Sequence, residues 1–406
     1  MGYLSIGLNR VRMALLATLS CGLATAQVTV AGRPVEVHAF FSQAFVKSGS
    51  NNYLTMQSSR GAFDFTDGGF NVTSRLSDKL RVGIQGYVRN LGNLGNGHVI
   101  LDWASVDYRF KDYLGVRAGR VKTVVGLYND TQDLEFLHTW AILPQSVYPL
   151  DLRGFSLSHL GGDIYGSISP RGWGSFSYTA YVGRSPQDPA GGRAYAFTGY
   201  GLDLGKTSGW MSGADLKWNT PLQGLLLGAS FQDLRFHSNS HNVASGGRLA
   251  TDTKFTTVVF SAQYSLDRLR LDYERSRSLS TTLLDGAHGL GPGIVVFPYD
   301  QRGWYAAAAY RVWTHLELGS YHSRFYPNAD RQLAFQPYKP AVARHLYDQA
   351  MTARFDFKSH WDLKAEQHFM DGFGDPASSR GFYLQDNPQG LAPKTKLFVL
   401  RLGFNY

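Results

Sequence analysis

Charged side chains of both signs crowd one stretch of this chain. Arg75, Arg81, Arg89, Arg117 and Lys122 are cationic, and Asp130, Asp133 and Glu135 follow closely. Arg81 and Arg89 alternate with apolar residues: Leu80, Val82, Ile84 and Val88 occupy the positions between Arg81, Gly83, Gln85, Tyr87 and Arg89. A period of two puts each set on its own face of an extended strand, so the arginines belong to the polar face. Carboxylates held opposite such a wall would create a transverse field that orders water and orients dipolar or charged molecules. The simpler reading is local pairing, which keeps charges satisfied inside a wet interior.

Covalent chemistry finds little support. His38, His98, His138, His237, His315, His322, His345, His360 and His368 are scattered, with no G-x-S-x-G setting for a nucleophile. A hydrolase working at a lipid surface would need serine and histidine on adjacent outward strand positions, with a third residue to orient the imidazole. No two histidines stand at ligand spacing beside a carboxylate cluster. We therefore assign no catalytic residue, no cofactor and no metal.

The elements that must position these charges are strands. Ala104, Val106, Tyr108 and Phe110 alternate with Trp103, Ser105, Asp107 and Arg109; Lys111-Asp112 then turns directly into Leu114, Val116 and Ala118 opposite Gly115, Arg117 and Gly119. From Val35 to Tyr406 the pattern gives about sixteen such segments, with weaker ones near 209–219 and 361–368. Short connections at 77–79, 111–112, 267–268, 313–314 and 359–360 alternate with long ones at 47–60, 91–98, 122–153, 185–208, 239–249, 278–301, 328–347 and 372–395. An even strand count with this asymmetry predicts an all-β fold, a transmembrane antiparallel barrel with both ends on its short-turn side. The last strand, Lys396 to Tyr406, sets Phe398, Leu400, Leu402, Phe404 and Tyr406 on one face and Leu397, Val399, Arg401, Gly403 and Asn405 on the other.

Composition agrees with a barrel. The chain has 406 residues, 43% of them hydrophobic and 14% aromatic, with 45 glycines; only alternate strand residues need face lipid, so average hydropathy stays low. Arg10 and Arg12 precede the apolar run Met13 to Leu23 and the small residues Ala24-Thr25-Ala26. Residues 1–26 read as a cleaved secretory signal, followed by one barrel domain over 27–406. Removing Arg10 and Arg12 takes the formal charge from +9 to +7. The only cysteine, Cys21, lies inside that signal; as a lipidation site it would need an aliphatic residue where Thr18 stands.

The connection after the fifth strand, from Lys122 to Arg153, is too apolar for a solvated loop. Val124, Val125, Leu127, Leu134, Phe136, Leu137, Trp140, Ile142, Leu143 and Val147 need a surface, and the barrel interior supplies one. Gly119-Arg120-Val121-Lys122 followed by Gly126-Leu127-Tyr128-Asn129 resembles the entry to the constriction loop of Gram-negative outer-membrane porins, especially the phosphate-selective porins. Leu363 to His368 and the aromatic terminus are also similar; Thr123-Val124-Val125 departs from the proline-phenylalanine pair frequent in relatives. The resemblance implies a sixteen-stranded barrel in the cell outer membrane, an inward-folded third loop, passive diffusion without a chemical step, and a homotrimer among outer-membrane lipids and lipopolysaccharide, with no nucleic acid partner. On that reading the pore-lining residues are Arg75, Arg81, Arg89, Arg117, Lys122, Asp130, Asp133 and Glu135. Arg81, Arg117 and Lys122 form the cationic wall and Asp130, Asp133 and Glu135 the loop side; the cargo is small hydrophilic solutes and ions, and the +7 charge is what points to a preference for anions. The alternative is a channel specific for sugars or organic acids, using the inward aromatics Tyr87, Trp103, Tyr181 and Tyr305.

Overall fold

Alternation of apolar and polar residues, repeated along the chain, becomes sixteen long antiparallel strands. The computed structural model describes residues 28–30, 33–186, 188–285, 294–329, 341–375 and 380–406. The expected export segment, Cys21 included, lies outside them. The strands are β1 Arg33–Ser48, β2 Ala62–Arg75, β3 Leu80–Leu91, β4 Val99–Lys111, β5 Leu114–Lys122, β6 Ser158–Ile168, β7 Ser175–Arg184 and β8 Thr207–Asn219. They continue as β9 Leu225–Asn242, β10 Arg248–Leu266, β11 Leu269–Asp285, β12 Ile294–Trp313, β13 Leu316–Tyr326, β14 Leu346–Phe357, β15 Trp361–Gly372 and β16 Lys394–Asn405. Two short strands, Val28–Val30 and Leu202–Asp203, pair with β1 and β9.

Each long strand pairs with its neighbours in sequence, and β16 returns to β1 with Arg401 opposite Ala44 and Leu397 opposite Ser48. The ring is closed. Closure pairs the backbone groups of both would-be edges, and an unpaired group in hydrocarbon costs several kcal/mol. The outer face carries exposed Ile84, Val116, Ile164, Phe260, Leu318 and Leu402, whereas Asp102, Asp163, Asp272, Glu274, Glu366 and Arg401 are buried inside. Apolar out and charged in reverses the distribution of a soluble protein, and excludes a β-sandwich for this chain.

The seven turns at the end holding both barrel termini are short, the longest running over 169–174. Most were expected; the turns at 169–174 and 220–224 add to them. At the opposite end, the expected loop at 239–249 shrinks to residues 243–247, and β11 to Asp285 and β12 from Ile294 run into the expected loop at 278–301, because β9 to β12 run on past the apolar zone. The β9 extension, His237-Ser-Asn-Ser-His241, is polar on both faces, while Leu249 against it and Leu283, Leu284, Val295 and Val296 on β11 and β12 do not alternate with polar residues. Backbone pairing persists where hydropathic alternation has ended, so a periodicity reading stops too early.

The long-loop end is partly filled. Tyr53, Leu54 and Met56 from the first long loop join Phe65, Leu91, Phe325, Leu346, Met370, Phe373, Phe382, Leu397 and Val399 in one buried apolar cluster. That packing occupies the interior beside β1 to β3 and β13 to β16. The space left open lies on the other side, along β9 to β12.

Candidate functional site

Residues 123–157 leave β5 and fold into the barrel instead of over it. Gly126 makes the turn inward at φ +64, and a side chain there would collide with the Tyr148 hydroxyl and the Glu274 carboxylate. Its N–H donates to Ser230 Oγ at 2.8 Å, and the Leu127 N–H donates to Glu274 at 2.9 Å. Three single turns, Asn129–Thr131, Glu135–Leu137 and Leu150–Leu152, shape the rest. Trp140 and Ile142 are 2% exposed, and Trp140 meets Tyr321 edge to face at 5.2 Å. Gly319 leaves the room: a Cβ there would lie 2.6 Å from the Trp140 ring. Of the apolar residues expected to need cover, Leu137 alone is clearly exposed, at 48%.

Polar ties hold this loop to strands around the ring. Tyr128 donates its hydroxyl to Asp272 on β11 at 2.7 Å, and Arg270 donates to Thr139 at 2.6 Å. The Ala141 and Ile142 N–H groups each donate to Glu366 on β15 at 2.9 Å, while Arg401 on β16 donates to the Ala141 carbonyl at 2.7 Å and to Asp67 at 2.7 Å. On the opposite flank Arg153 donates to Asp102 at 3.0 Å. Asp102 is the extra residue of a bulge in β4, between Trp103 opposite Gln85 and Leu101 opposite Gly86, which turns its carboxylate inward beside Trp103.

The residues singled out from sequence take different places. Lys122 and Asp133 meet directly: the ammonium donates to the carboxylate at 2.7 Å, Gln85 donates to the same carboxylate at 2.7 Å, and Asp133 is fully buried. Glu135 is taken by Lys364, which also donates to the Glu135 carbonyl at 2.7 Å. Arg89 is buried, donates to the Leu150 carbonyl at 2.9 Å and lies 3.8 Å from Asp188. Arg117 pairs with Asp163 at 3.7 Å and lies over the Tyr165 ring. Arg75 and Arg81 face each other across β2 and β3 at the short-turn end, exposed and without a carboxylate partner among the described residues. Asp130 is half-buried on the side of Asp215.

For Asp133 and Glu135 the contacts follow the local-pairing reading, and not the opposed wall. Cations and carboxylates do not oppose each other across an open space; Lys122 with Asp133, and Lys364 with Glu135, are contact pairs that fasten the loop to the wall. The physical reason is desolvation: a carboxylate carried into the interior by an apolar loop needs a cation within contact. Lys364 and Arg153 completed these pairs unnoticed, although the strict alternation Asp362, Lys364, Glu366, His368 on β15 was a readable signal.

The open space is lined differently. A cavity of about 180 Å³ lies between the loop, at Val125, Ser146, Val147 and Pro149, and the inward faces of β9 to β12. Its strand wall has no ionisable side chain other than Tyr299: Gln232, Leu234, Phe255, Thr257, Val259, Ser276, Ser278, Ser280, Thr282 and Gln301 complete it. Two guanidinium groups from other loops also line it, Arg193 and Arg380. Arg193, on the short helix Gly192–Thr198, lies 3.8 Å above the Phe236 ring and donates to Thr253 Oγ1 at 2.8 Å. Burial lowers its pKa to about 9, so it remains charged at neutral pH. No carboxylate pairs with it among the described residues. Nothing in the sequence marked either arginine, since both belong to loops without periodicity.

One arrangement on the outer face approaches the hydrolase geometry. Ser320 and His322 share the outward face of β13, and His322 Nδ1 lies 3.2 Å from Gln349 Oε1. Arg324, however, donates to His322 Nε2 at 3.0 Å, and Ser320 donates to the Ala350 carbonyl at 2.9 Å. With both ring nitrogens engaged, no base reaches the serine.

A closed antiparallel barrel of sixteen spanning strands, with an apolar exterior and one loop packed inside, defines the porin class of fold. Solved structures of that class are similar to this chain. OmpF of Salmonella typhi in complex with daunomycin superimposes with a TM-score of 0.57 at 11% identity, covering 92% of this chain and 98% of that one. The anion-selective porin from Comamonas acidovorans gives 0.55 at 13% identity, covering 92% and 100%. OmpT of Vibrio cholerae in its trimer form gives 0.55 at 10% identity, covering 92% and 99%. No family model matches the sequence, and no curated protein matches it.

Proposed function

We propose that this chain is a porin of the Gram-negative outer membrane, exported by residues 1–26, through which small hydrophilic solutes and ions diffuse passively. The observation that carries this reading is the asymmetric interior: loop 123–157 is pinned by ion pairs, and a hydroxyl-lined cavity remains along β9 to β12. A loop so placed would narrow a diffusion path, and diffusion requires no chemical step. Anion preference follows from Arg193 and Arg380 at the cavity and from the +7 expected after export. The apolar outer face suits lipid, with lipopolysaccharide in the outer leaflet, and the trimer form of OmpT supports a homotrimer. Phosphate selectivity, the finer implication of the sequence resemblance, would call for several cations converging on one anion; two guanidinium groups favour the broader reading. The test is planar-bilayer recording of purified protein in a potassium chloride gradient. Discrete conductance steps with a reversal potential of anionic sign are expected, and protein that inserts without conducting would overturn the proposal.

A further inference from the structure

The cavity along β9 to β12 differs from the rest of the interior in a way that narrows what it can hold. Elsewhere inside the barrel, carboxylates and cations alternate and consume one another. Here the strand wall is split into two kinds of neutral surface. Leu234, Phe255 and Val259 on the strands face Val125 and Val147 on the loop, an apolar strip inside a wet space. Beside it Ser276, Ser278, Ser280 and Thr282 project inward at every second position of β11, a ladder with a rise of roughly 7 Å per rung. Thr257 shares a hydrogen bond with Ser278 at 2.8 Å, and Thr253 with Thr282 at 3.1 Å; each hydroxyl keeps further capacity for a guest. Arg193 supplies positive charge with no carboxylate to neutralise it among the described residues, and Phe236 backs its guanidinium plane.

A divalent anion would leave its hydration shell for a largely neutral, partly apolar wall. A sugar would leave the guanidinium without a counter-charge and would place hydroxyls against the apolar strip. A cation is repelled by Arg193 and finds no carboxylate on the wall. We propose that this cavity is a transit subsite for small amphipathic monoanions, in which Arg193 holds a carboxylate while an aromatic or branched aliphatic body lies on the Leu234, Phe255 and Val259 strip. The space suits one ring, since a cavity of about 150 Å³ takes up benzene. This inference rests on the porin reading and adds a substrate class to it.

The experiment is single-channel recording of the full-length protein in potassium chloride, with sodium benzoate or sodium acetate added as the blocking anion. Benzoate should reduce the chloride current at concentrations about tenfold lower than acetate, because the ring gains the apolar strip. In Arg193→Gln, both anions should block about tenfold more weakly, the effect of one charge-assisted hydrogen bond. In Leu234→Ser, acetate block should be retained while the benzoate advantage shrinks. Taking the ratio of the two anions within each variant cancels any change in conductance common to both. Equal block by benzoate and acetate in the wild-type channel, or benzoate block unchanged in Arg193→Gln, would overturn the subsite while leaving the porin reading intact. Absence of chloride current would instead overturn the porin reading itself.

Discussion

Lys364 shows how single residues decide the interior. It has no exposed surface, and its ammonium lies against Glu135 from the loop and 3.6 Å from Asp362 on its own strand. Removing it takes the contact cation from buried Glu135 and Asp362, leaving only the more distant Arg401 and Arg354, a loss of up to about 3–5 kcal/mol. Lys364→Met is therefore expected to lower the urea midpoint of the folded barrel in micelles and to make single-channel current larger and noisier as the loop loosens; unchanged current would argue against tethering. Arg117 works by a similar pairing with a different readout. Because it lies 3.7 Å from Asp163, a buried carboxylate whose other partner is His159 at 2.7 Å, Arg117→Ala should leave that carboxylate less compensated and move the reversal potential towards cations, more than Arg81→Ala, whose arginine has no carboxylate partner among the described residues. Equal shifts would mean that both act only as bulk charge. The identity and polarity of these residues were legible in sequence, but their partners were not: Lys364 and Glu135 are far apart in the chain and meet only because β15 and the loop share one interior.

Strand elements were the most legible level. The terminal segment was read with Leu400 and Leu402 outward and Arg401 inward, and β16 places them so: Leu402 is 38% exposed and Arg401 6%. Leu402→Arg would put a charge on the lipid face, costing about 2–4 kcal/mol if it lies near the bilayer midplane. The expected result is a lower denaturant midpoint in lipid vesicles, with little change for Leu402→Ile; equal midpoints for arginine and leucine would contradict lipid contact. The weak segments at 209–219 and 361–368 are full strands; outward Ser212, Ala214, Ala365 and Gln367 are small or polar, which blurs hydropathic contrast without affecting backbone pairing. The bulge at Asp102 was equally hidden, since register is set by the partner strand. The loop after β5 declared its inward course through excess apolar residues, yet its path across the interior did not follow from them.

At the scale of the molecule, charge distribution matters more than total charge. The interior pairs cancel locally, so long-range selectivity falls to exposed cations such as Arg75 and Arg81, which have no carboxylate partner among the described residues. Such groups are screened within a Debye length, about 10 Å at 0.1 M salt and about 3 Å at 1 M. Anion preference, measured by reversal potential at a fixed salt ratio, should therefore be marked at low ionic strength and approach neutrality near 1 M. A preference independent of salt would point to selection by size alone.

By itself, the sequence determined that this chain forms a membrane-spanning barrel of about sixteen strands, that the loop after the fifth strand turns inward, and which faces are apolar. Those properties depend on residues one or two positions apart, and period-two patterning records them directly. Tertiary structure decided which charges meet and where space remains. Lys122 and Asp133 became a tether, while Arg193, from an unremarkable loop, became a charged group at the open cavity. Both outcomes follow from closure of the ring, which brings distant strands to face one another across a common interior and makes burial, rather than position in the chain, select each partner.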